Sequence, residues 1–231
     1  MVLSLLSLLA SGDVDRTSIA YMMVMFASLM FVTFVCMPIH ESAHAFVANL
    51  LGDDTGKLKG RITLNPFAHL DMRGLIMMFL FGFGYARPVP VNINRFKKRK
   101  LGFALTAVAG PVSNIIVTVI TAAVASLFYP KLSQGMIFEV MFTFFTYIAV
   151  FNFSLALFNL IPVPPLDGSR LVTLFLPDKY YYKLLQYERY FVWAILAVAF
   201  VAGRISFIPS LTEIAYSAVV FIETLFINLF N

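Results

Sequence analysis

Long apolar runs separated by short polar stretches make up most of this chain. Residues 19–39 contain no charged residue, and at about 1.5 Å per residue they are long enough to cross the hydrocarbon core of a bilayer. Residues 1–10 are also apolar but too short to span, so we expect an interfacial or re-entrant segment there. The pattern predicts a membrane all-α fold, a polytopic bundle of about five transmembrane helices. The predicted spans lie at about 18–51, 101–129, 135–161, 190–207 and 211–230.

The stretch between the first two predicted spans has a different pattern. Polar and apolar residues alternate from Lys57 to Leu64, which predicts a half-buried strand, and Asn65-Pro66 predicts a turn. Residues 75–83 are apolar but too few to cross a bilayer, so they predict a re-entrant or sheet-like element packed against protein. We therefore expect a short strand-rich re-entrant hairpin between spans one and two.

Composition and charge agree with a membrane protein. Hydrophobic residues make up 60% of the chain and charged residues 13%, whereas soluble domains are roughly half apolar and about a quarter charged. The basic residues behind the net charge of +5 flank the apolar runs and lack the interleaved aromatic residues of a nucleic-acid groove. We therefore expect the lipid bilayer, with its anionic cytoplasmic surface, as a partner, and no nucleic acid.

The basic residues also predict an orientation. If the His44 end of the first span is cytoplasmic and the spans alternate, 14 of the 17 Lys and Arg residues lie inside, as the positive-inside rule favours. This layout makes the chain a multi-pass protein of the cell membrane. It also puts the C-terminus in the cytoplasm and the N-terminus outside.

The end of the first predicted span carries His40-Glu41-Ser42-Ala43-His44. Two histidines at this spacing lie on one face of a helix and can bind one metal ion, and the glutamate after the first can act as a general base. A protonated, buried carboxyl is the alternative for Glu41. Polar groups are costly inside a membrane and usually functional there, so we interpret the motif as a site for one Zn²⁺. Pro38 removes a backbone hydrogen bond and predicts a kink just before His40.

A catalytic zinc site has three protein ligands and an open position. On the predicted cytoplasmic side the candidates for the third ligand are Asp71, His69 and Asp167. Asp167 is favoured because prolines at 162, 164 and 165 break the end of the third span, and broken backbone at membrane depth is tolerated only beside protein or a cavity. His69 is its main rival. Cys36, one turn before His40, could also bind the metal, but a packed hydrophobic side chain is the preferred interpretation.

Four segments together resemble the site-2 protease family of intramembrane zinc metalloproteases. They follow one another in the order typical of that family and cover about residues 30–175: His40–His44, Gly60–Asp71, Ala109–Asn114 and Asn159–Gly168. The resemblance implies that His40, His44 and Asp167 bind the zinc and that Glu41 is the catalytic base.

The resemblance also implies that Asn159 and Asn114 help hold the substrate or the attacking water. An amide at membrane depth can donate hydrogen bonds to a substrate carbonyl, and hydrogen bonding between helices is the alternative for both residues. His69 and Asp71 are expected to stabilise the turn at Asn65.

The sequence departs from some members of that family, because we expect a compact form with neither a PDZ-like insertion nor a nucleotide-sensing domain. We expect a single membrane domain over residues 1–231, with a catalytic core at about 17–175 and two C-terminal spans at about 190–230. The expected activity is hydrolysis of peptide bonds in or near transmembrane helices of protein substrates. The oligomeric state stays open.

Three alternative functions differ in their sequence requirements. A prenyl-protein endopeptidase shares a membrane HExxH motif but not the Leu166-Asp167-Gly168 triplet. A zinc-binding transporter would carry paired polar residues along several spans, and the last two predicted spans are nearly free of them. An inactive adaptor would lack Glu41 or one of the ligands.

Overall fold

The computed structural model describes residues 16–81, 86–177 and 207–230. Within these ranges four helices are long and apolar enough to cross a membrane: Thr17–Leu50, Arg99–Gln134, Met136–Asn159 and Leu211–Phe230. The predicted span at 190–207 falls, except for its last residue, outside the described residues, as does the segment 1–10. The protein is therefore mostly helical and multi-pass, and the total of five spans stays a prediction.

The first span is one long helix with an irregular turn in the middle. It consists of α1 (Arg16–Phe31), a π-helical segment (Val32–Cys36) and α2 (Met37–Leu50). Pro38 lies at the start of α2, where it has no N–H to donate to the Phe34 carbonyl and its ring crowds that carbonyl. A π-helical turn widens the helix at this point. The irregularity expected near Pro38 therefore takes the form of a π-helical turn that ends one turn before His40.

The connection after α2 differs from the predicted strand. Residues 57–64 form the end of a short helix α3 (Thr55–Leu58) and a turn at Gly60, whose φ is +65°. The strand prediction for Lys57–Leu64 is therefore wrong. Exposure does not follow the predicted alternation: residues 57–60 are all exposed, and in the following residues the polar Arg61 is 7% exposed whereas Leu64 is 67% exposed. Arg61 turns inward because its guanidinium donates hydrogen bonds to the backbone carbonyls of Ala68, Arg87 and Pro88.

The apolar run at 75–83 belongs largely to a helix rather than to a sheet-like element. Helix α4 (Met72–Phe81) has 10 residues, too few to cross a bilayer. In the described part of the connection the β-type pairing is an isolated bridge between Leu70 and Ala86. The strand-rich character of the predicted hairpin is thus not borne out there, and its re-entrant path stays a prediction.

Three long helices bring the functional motifs to one end of the bundle. Helix α5 (Arg99–Ser126) is antiparallel to α6 (Met136–Asn159), and Thr118 Oγ1 donates to Ala149 O across their contact. Helix α1 is parallel to α6, since Ser28 contacts Phe144 O and Cys36 lies against Asn152 further along both helices. The C-terminal end of α2, the start of α5 and the end of α6 therefore meet. We call this the site end of the bundle.

The last described helix, α8 (Phe207–Phe230), runs in the direction opposite to α6. Thr146 Oγ1 donates to the buried Glu223 carboxylate at 2.6 Å, while Leu157, further along α6, packs on the cluster containing Ala215. The start of α8 therefore lies at the site end and its C-terminal end lies at the opposite end. This corrects the expectation that the chain ends on the same side of the membrane as His44.

Candidate metal centre

His40 and His44 project from α2 into the interior of the bundle. Their spacing places both imidazoles on one face of the helix, and their Nε2 atoms are 3.1 Å apart. Only 4% of His40 and 7% of His44 is exposed. Two imidazole nitrogens thus converge at a buried point, which is a suitable geometry for binding one cation.

Asp167 reaches the same point from a different element. Its Oδ2 lies 3.4 Å from His40 Nε2 and 3.3 Å from His44 Nε2. Asp167 directly precedes the short helix α7 (Gly168–Val172), at the end of the proline-rich turn that follows α6. The next residue must be glycine, because a methyl group there would lie 2.1 Å from Leu160 O. The tight approach of Gly168 to the end of α6 therefore helps to position the Asp167 carboxylate.

Contacts to α5 hold this turn in place. The Arg170 guanidinium lies over the Phe103 ring at 4.5 Å, a favourable cation–π arrangement. Lys100 Nζ donates a hydrogen bond to Leu176 O at 2.6 Å. Both contacts join the chain that follows Asp167 to the first turns of α5, so they help to hold the carboxylate in place.

The three residues fit a single zinc ion. Their candidate ligand atoms all lie within 4.8 Å of one another, and the three measured separations are 3.1, 3.3 and 3.4 Å. Tetrahedral ligands bound to zinc at about 2.0–2.1 Å are roughly 3.3 Å apart. The cluster therefore has the size of one face of a zinc coordination tetrahedron, and the fourth vertex is left to water or substrate.

A backbone carbonyl sets the tautomer of His44. Its Nδ1 lies 2.7 Å from Thr106 O on α5, and because a carbonyl only accepts, Nδ1 carries the proton. The Nε2 lone pair therefore points to the cluster. A metal-binding histidine commonly donates its other N–H in this way, which orients the ring.

Electrostatics keep Asp167 ionised. Burial raises the pKa of its carboxyl, but a proton on His44 Nε2, in the position that a bound cation would take, and the hydrogen bonds from both histidine rings outweigh burial and hold that pKa well below the usual range. An ionised carboxylate is the form that binds a metal.

Gly110 on α5 closes one side of the cluster. A methyl group at this position would lie 2.3 Å from His44 Nε2 and 2.5 Å from His40 Cε1. Both distances are far below van der Waals contact. The absence of a side chain at Gly110 therefore creates the space in which the two imidazoles face each other.

We expect Gly110→Ala to weaken zinc binding at least about tenfold, the scale seen when groups that orient metal ligands are changed. The methyl group would push the imidazoles away from the positions that converge with Asp167. Zinc affinity and stoichiometry of the purified protein measure the effect. Ala109→Ser adds one heavy atom at the neighbouring, partly exposed position and should bind zinc as the wild type does. Full zinc affinity in a folded Gly110→Ala protein would contradict this role.

Glu41 lies beside the cluster rather than in it. It follows His40, so its side chain is rotated by about 100° around the helix, and it is partly exposed. The buried Arg61 lies within electrostatic reach: burial lowers the pKa of its guanidinium, and the Glu41 carboxylate opposes that effect. A carboxylate next to the metal cluster and near a cation is suited to accept a proton from water.

The other candidates occupy separate positions. His69 is fully buried, lies outside the metal cluster, and places its Nε2 2.9 Å from Thr63 O. Cys36 is also outside the cluster and is hydrogen-bonded to the Asn152 side chain. Asn114 is buried one turn beyond Gly110 on α5, and Asn159 is the last residue of α6 and partly exposed. The two asparagines thus flank the site from α5 and α6.

Sequence reasoning missed Thr106 and Gly110 as contributors to the site. Thr106, Gly110 and Asn114 share a spacing of four on α5, so helical periodicity could have placed them on one face. The part played by Thr106 is that of its carbonyl, and a backbone carbonyl leaves no signal in the sequence.

An apolar groove runs along the exposed side of α2. It has a volume of about 320 Å³ and lies between the helix and the segment that follows Arg61. Its lining residues are Ile39, Ser42, Ala43, Phe46, Ile62, Thr63 and Leu64. The residues of α2 in this lining share one face of the helix, and helical geometry puts that face about 150° around the axis from Glu41.

Comparisons with known proteins agree with this centre. Residues 129–202 match the family model of peptidase family M50, a range that includes Asp167. The chain is 42% identical over 161 residues to "Putative zinc metalloprotease YwhC" of Bacillus subtilis, covering 68% of this chain and 72% of the relative. It is 28% identical over 138 residues to "Putative zinc metalloprotease Rip2" of Mycobacterium tuberculosis, covering 58% of this chain and 51% of that protein. No solved structure matches.

The membrane helices and the buried His-His-Asp cluster define a polytopic membrane protein with a zinc hydrolase centre. The chain belongs to peptidase family M50, the site-2 proteases. It is an intramembrane zinc metalloprotease that uses one Zn²⁺ and acts on membrane proteins. Membership of this family excludes the three alternative functions, which are a transporter, an inactive adaptor and a prenyl-protein endopeptidase.

Proposed function

We propose that His40, His44 and Asp167 bind the zinc ion and that Glu41 is the catalytic base. The observation that carries this proposal is the convergence of two imidazole nitrogens and one carboxylate oxygen, 3.1 to 3.4 Å apart, directly beside Glu41. The reaction is hydrolysis of a peptide bond in or near a transmembrane segment of the substrate, as in regulated intramembrane proteolysis.

The residues of the chain divide the work of this hydrolysis. Held by His40, His44 and Asp167, a zinc ion would polarise water and the scissile carbonyl. Glu41 accepts one proton from the attacking water and returns a proton to the nitrogen of the leaving amine, so that a carboxyl and an amine are released. The Arg61 guanidinium lies within electrostatic reach of the Glu41 carboxylate.

The substrate needs local unwinding before attack. A membrane-spanning helix hides its carbonyls in its own hydrogen bonds, so the scissile carbonyl becomes accessible only where the helix opens. Asn159 and Asn114 flank the centre from two helices, and their amide groups can donate hydrogen bonds to the carbonyls that unwinding releases. The substrate is thereby held beside Glu41.

The active site faces the cytoplasm in this proposal, and the protein lies in the cell membrane. Basic residues concentrate in the connections at the site end, including Lys57, Lys59 and the run 97–100. Such clusters favour the cytoplasmic side. Cysteine labelling from either side of the membrane tests this orientation.

Removal of zinc is the direct test of the activity. Purified protein should cleave a substrate with one transmembrane segment, and a strong zinc chelator should reduce that cleavage at least about a hundredfold because the carbonyl and the water are no longer polarised. Adding back Zn²⁺ should restore it. Mass spectrometry of the products should place the cut in or next to the apolar segment. Cleavage that continues in protein shown to contain no metal would overturn the proposal.

A further inference from the structure

Buried residues four apart run along most of the first span. This column consists of Ser28, Val32, Cys36, His40, His44 and Ala48. In a regular α-helix a step of four residues turns by about 400°, so a column at this spacing drifts by about 40° at each step. Five such steps would accumulate about 200°, which would put Ala48 on the side of the helix opposite to Ser28.

The π-helical turn removes part of this drift. It spans Val32–Cys36, and the Met37 N–H donates to Val32 O, five residues back. A turn closed by such a bond holds about one residue more than an α-helical turn, so it takes about 100° out of the rotation. About 100° of drift therefore remains between the two ends of the column.

This remaining rotation agrees with the neighbours of the two halves. Ser28 and Cys36 face α6, where they contact the Phe144 carbonyl and the Asn152 side chain. His44 faces α5, because its Nδ1 is bonded to a backbone carbonyl of that helix. The first span thus changes its partner from α6 to α5 across the π-helical turn.

The metal cluster depends on this change of partner. His40 and His44 pack directly on α5 at Gly110, where a methyl group would overlap both imidazoles. With a regular α-helix in place of the π-helical turn, α2 would be rotated by about a further 100° relative to α1. Both rings would then point away from Gly110 and from Asp167.

Pro38 favours the π-helical form over the α-helical one. It directly follows Met37, whose N–H closes the π-helical turn. An α-helix would need a hydrogen bond from residue 38 to Phe34 O, and proline has no N–H to make it. The proline ring also crowds that carbonyl.

We propose that the π-helical turn is a rotational spacer that directs the two histidines of α2 towards α5, and that Pro38 is the positioning residue that maintains it. The inference rests on the proposed function, in which His40 and His44 bind zinc. Its readout is the affinity of the site for zinc rather than the rate of cleavage.

The test is whether a deletion restores what a substitution removes. Pro38→Ala regains the N–H, so the turn can become α-helical and α2 can rotate. We expect zinc affinity to fall about tenfold, the scale seen when groups that orient metal ligands are changed.

The second variant combines Pro38→Ala with deletion of Val35, an exposed residue of the turn. The deletion takes out the extra residue, so a regular α-helix again presents both histidines to α5. This variant should bind zinc within about threefold of the wild type, since the orientation of the ligands is restored. Co²⁺ bound in its site should give the wild-type absorption bands, which report coordination geometry.

Deletion of Met23 is the matched control. Met23 is also an exposed apolar residue, but it lies in α1 ahead of the turn. Its removal from the Pro38→Ala protein leaves α2 rotated relative to the second half of α1, so zinc affinity should stay as low as in Pro38→Ala alone.

Two results would overturn the spacer. One is full zinc affinity in Pro38→Ala, and the other is a Val35 deletion that binds zinc no better than the Met23 deletion or that fails to fold where the Met23 deletion folds. Neither result would touch the proposed function, which instead fails if His40→Ala binds zinc as the wild type does or if cleavage is independent of zinc.

Discussion

Glu41→Gln is expected to abolish peptide-bond cleavage without changing the zinc content. Gln has nearly the size of Glu and keeps hydrogen-bonding groups, but it cannot accept a proton from water at neutral pH. General acid–base catalysis contributes about 10² to 10⁴-fold, and Glu41 acts at two steps, so the rate should fall at least about a thousandfold. The product assay and zinc analysis should be run on the same purified protein.

A suitable control for Glu41→Gln is Glu139→Gln. Glu139 lies in the first turn of α6, at the opposite end of the bundle from the site. This change removes the same charge from the chain and should leave the cleavage rate as it is. Substantial cleavage by a zinc-loaded Glu41→Gln protein would rule out the proposed mechanism.

Asp167→Ala should lose zinc, and with it all measurable cleavage. The change removes one of the three proposed ligands and leaves two buried histidines without their carboxylate partner, which lies within 3.4 Å of both. Structural zinc sites derive a large binding free energy from their ligands, so we expect affinity to fall at least about a hundredfold. Metal analysis after dialysis against a weak chelator measures the loss.

His69→Ala separates the two candidate ligands. In the structure the His69 ring contacts Thr63 O and lies outside the cluster, so this variant should keep its zinc even if the turn at Asn65 loosens. Full zinc in Asp167→Ala together with loss of zinc in His69→Ala would assign the third ligand to His69.

Local periodicity explains what could be predicted about the site. A spacing of four places two side chains on one helix face wherever the helix lies, so the approach of His40 to His44 needed no tertiary information. Helix boundaries followed the apolar runs for the same reason: the second predicted span, 101–129, corresponds to α5 at Arg99–Ser126. Asp167 was favoured because prolines broke the end of the preceding span, and the structure brings it to the two histidines.

The segment Lys57–Leu64 shows why the pattern of polar and apolar residues alone predicted the wrong element. Alternation predicts a strand with its apolar side facing a core, as it does in water. Here Leu58 and Leu64 are exposed, as Lys57 and Lys59 are, whereas Arg61 and His69 are buried. In a protein surrounded by lipid the interior can be the polar side, so the same alternation is compatible with a chain whose polar side chains bind carbonyls within the protein.

The direction of the last helix also could not be predicted from the sequence. An apolar helix is compatible with either orientation, and the expected alternation of spans gave the wrong one. Helix α8 is antiparallel to α6 because Thr146 donates a hydrogen bond to the Glu223 carboxylate, and Leu157 packs on the cluster that contains Ala215. These are contacts between residues far apart in the chain.

The sequence by itself determined that this chain is a membrane protein, that two histidines share a helix face, and that a glutamate stands next to them. These properties depend on hydrophobicity and on the geometry of one helix, both of which are local. Only the tertiary structure decided that Thr106 orients His44, that Gly110 leaves room for the cluster and that the Ser42 hydroxyl binds the backbone of Thr63 to α2. A carbonyl, a missing side chain and a hydroxyl acquire these roles from the atoms packed against them, which no spacing within the sequence specifies.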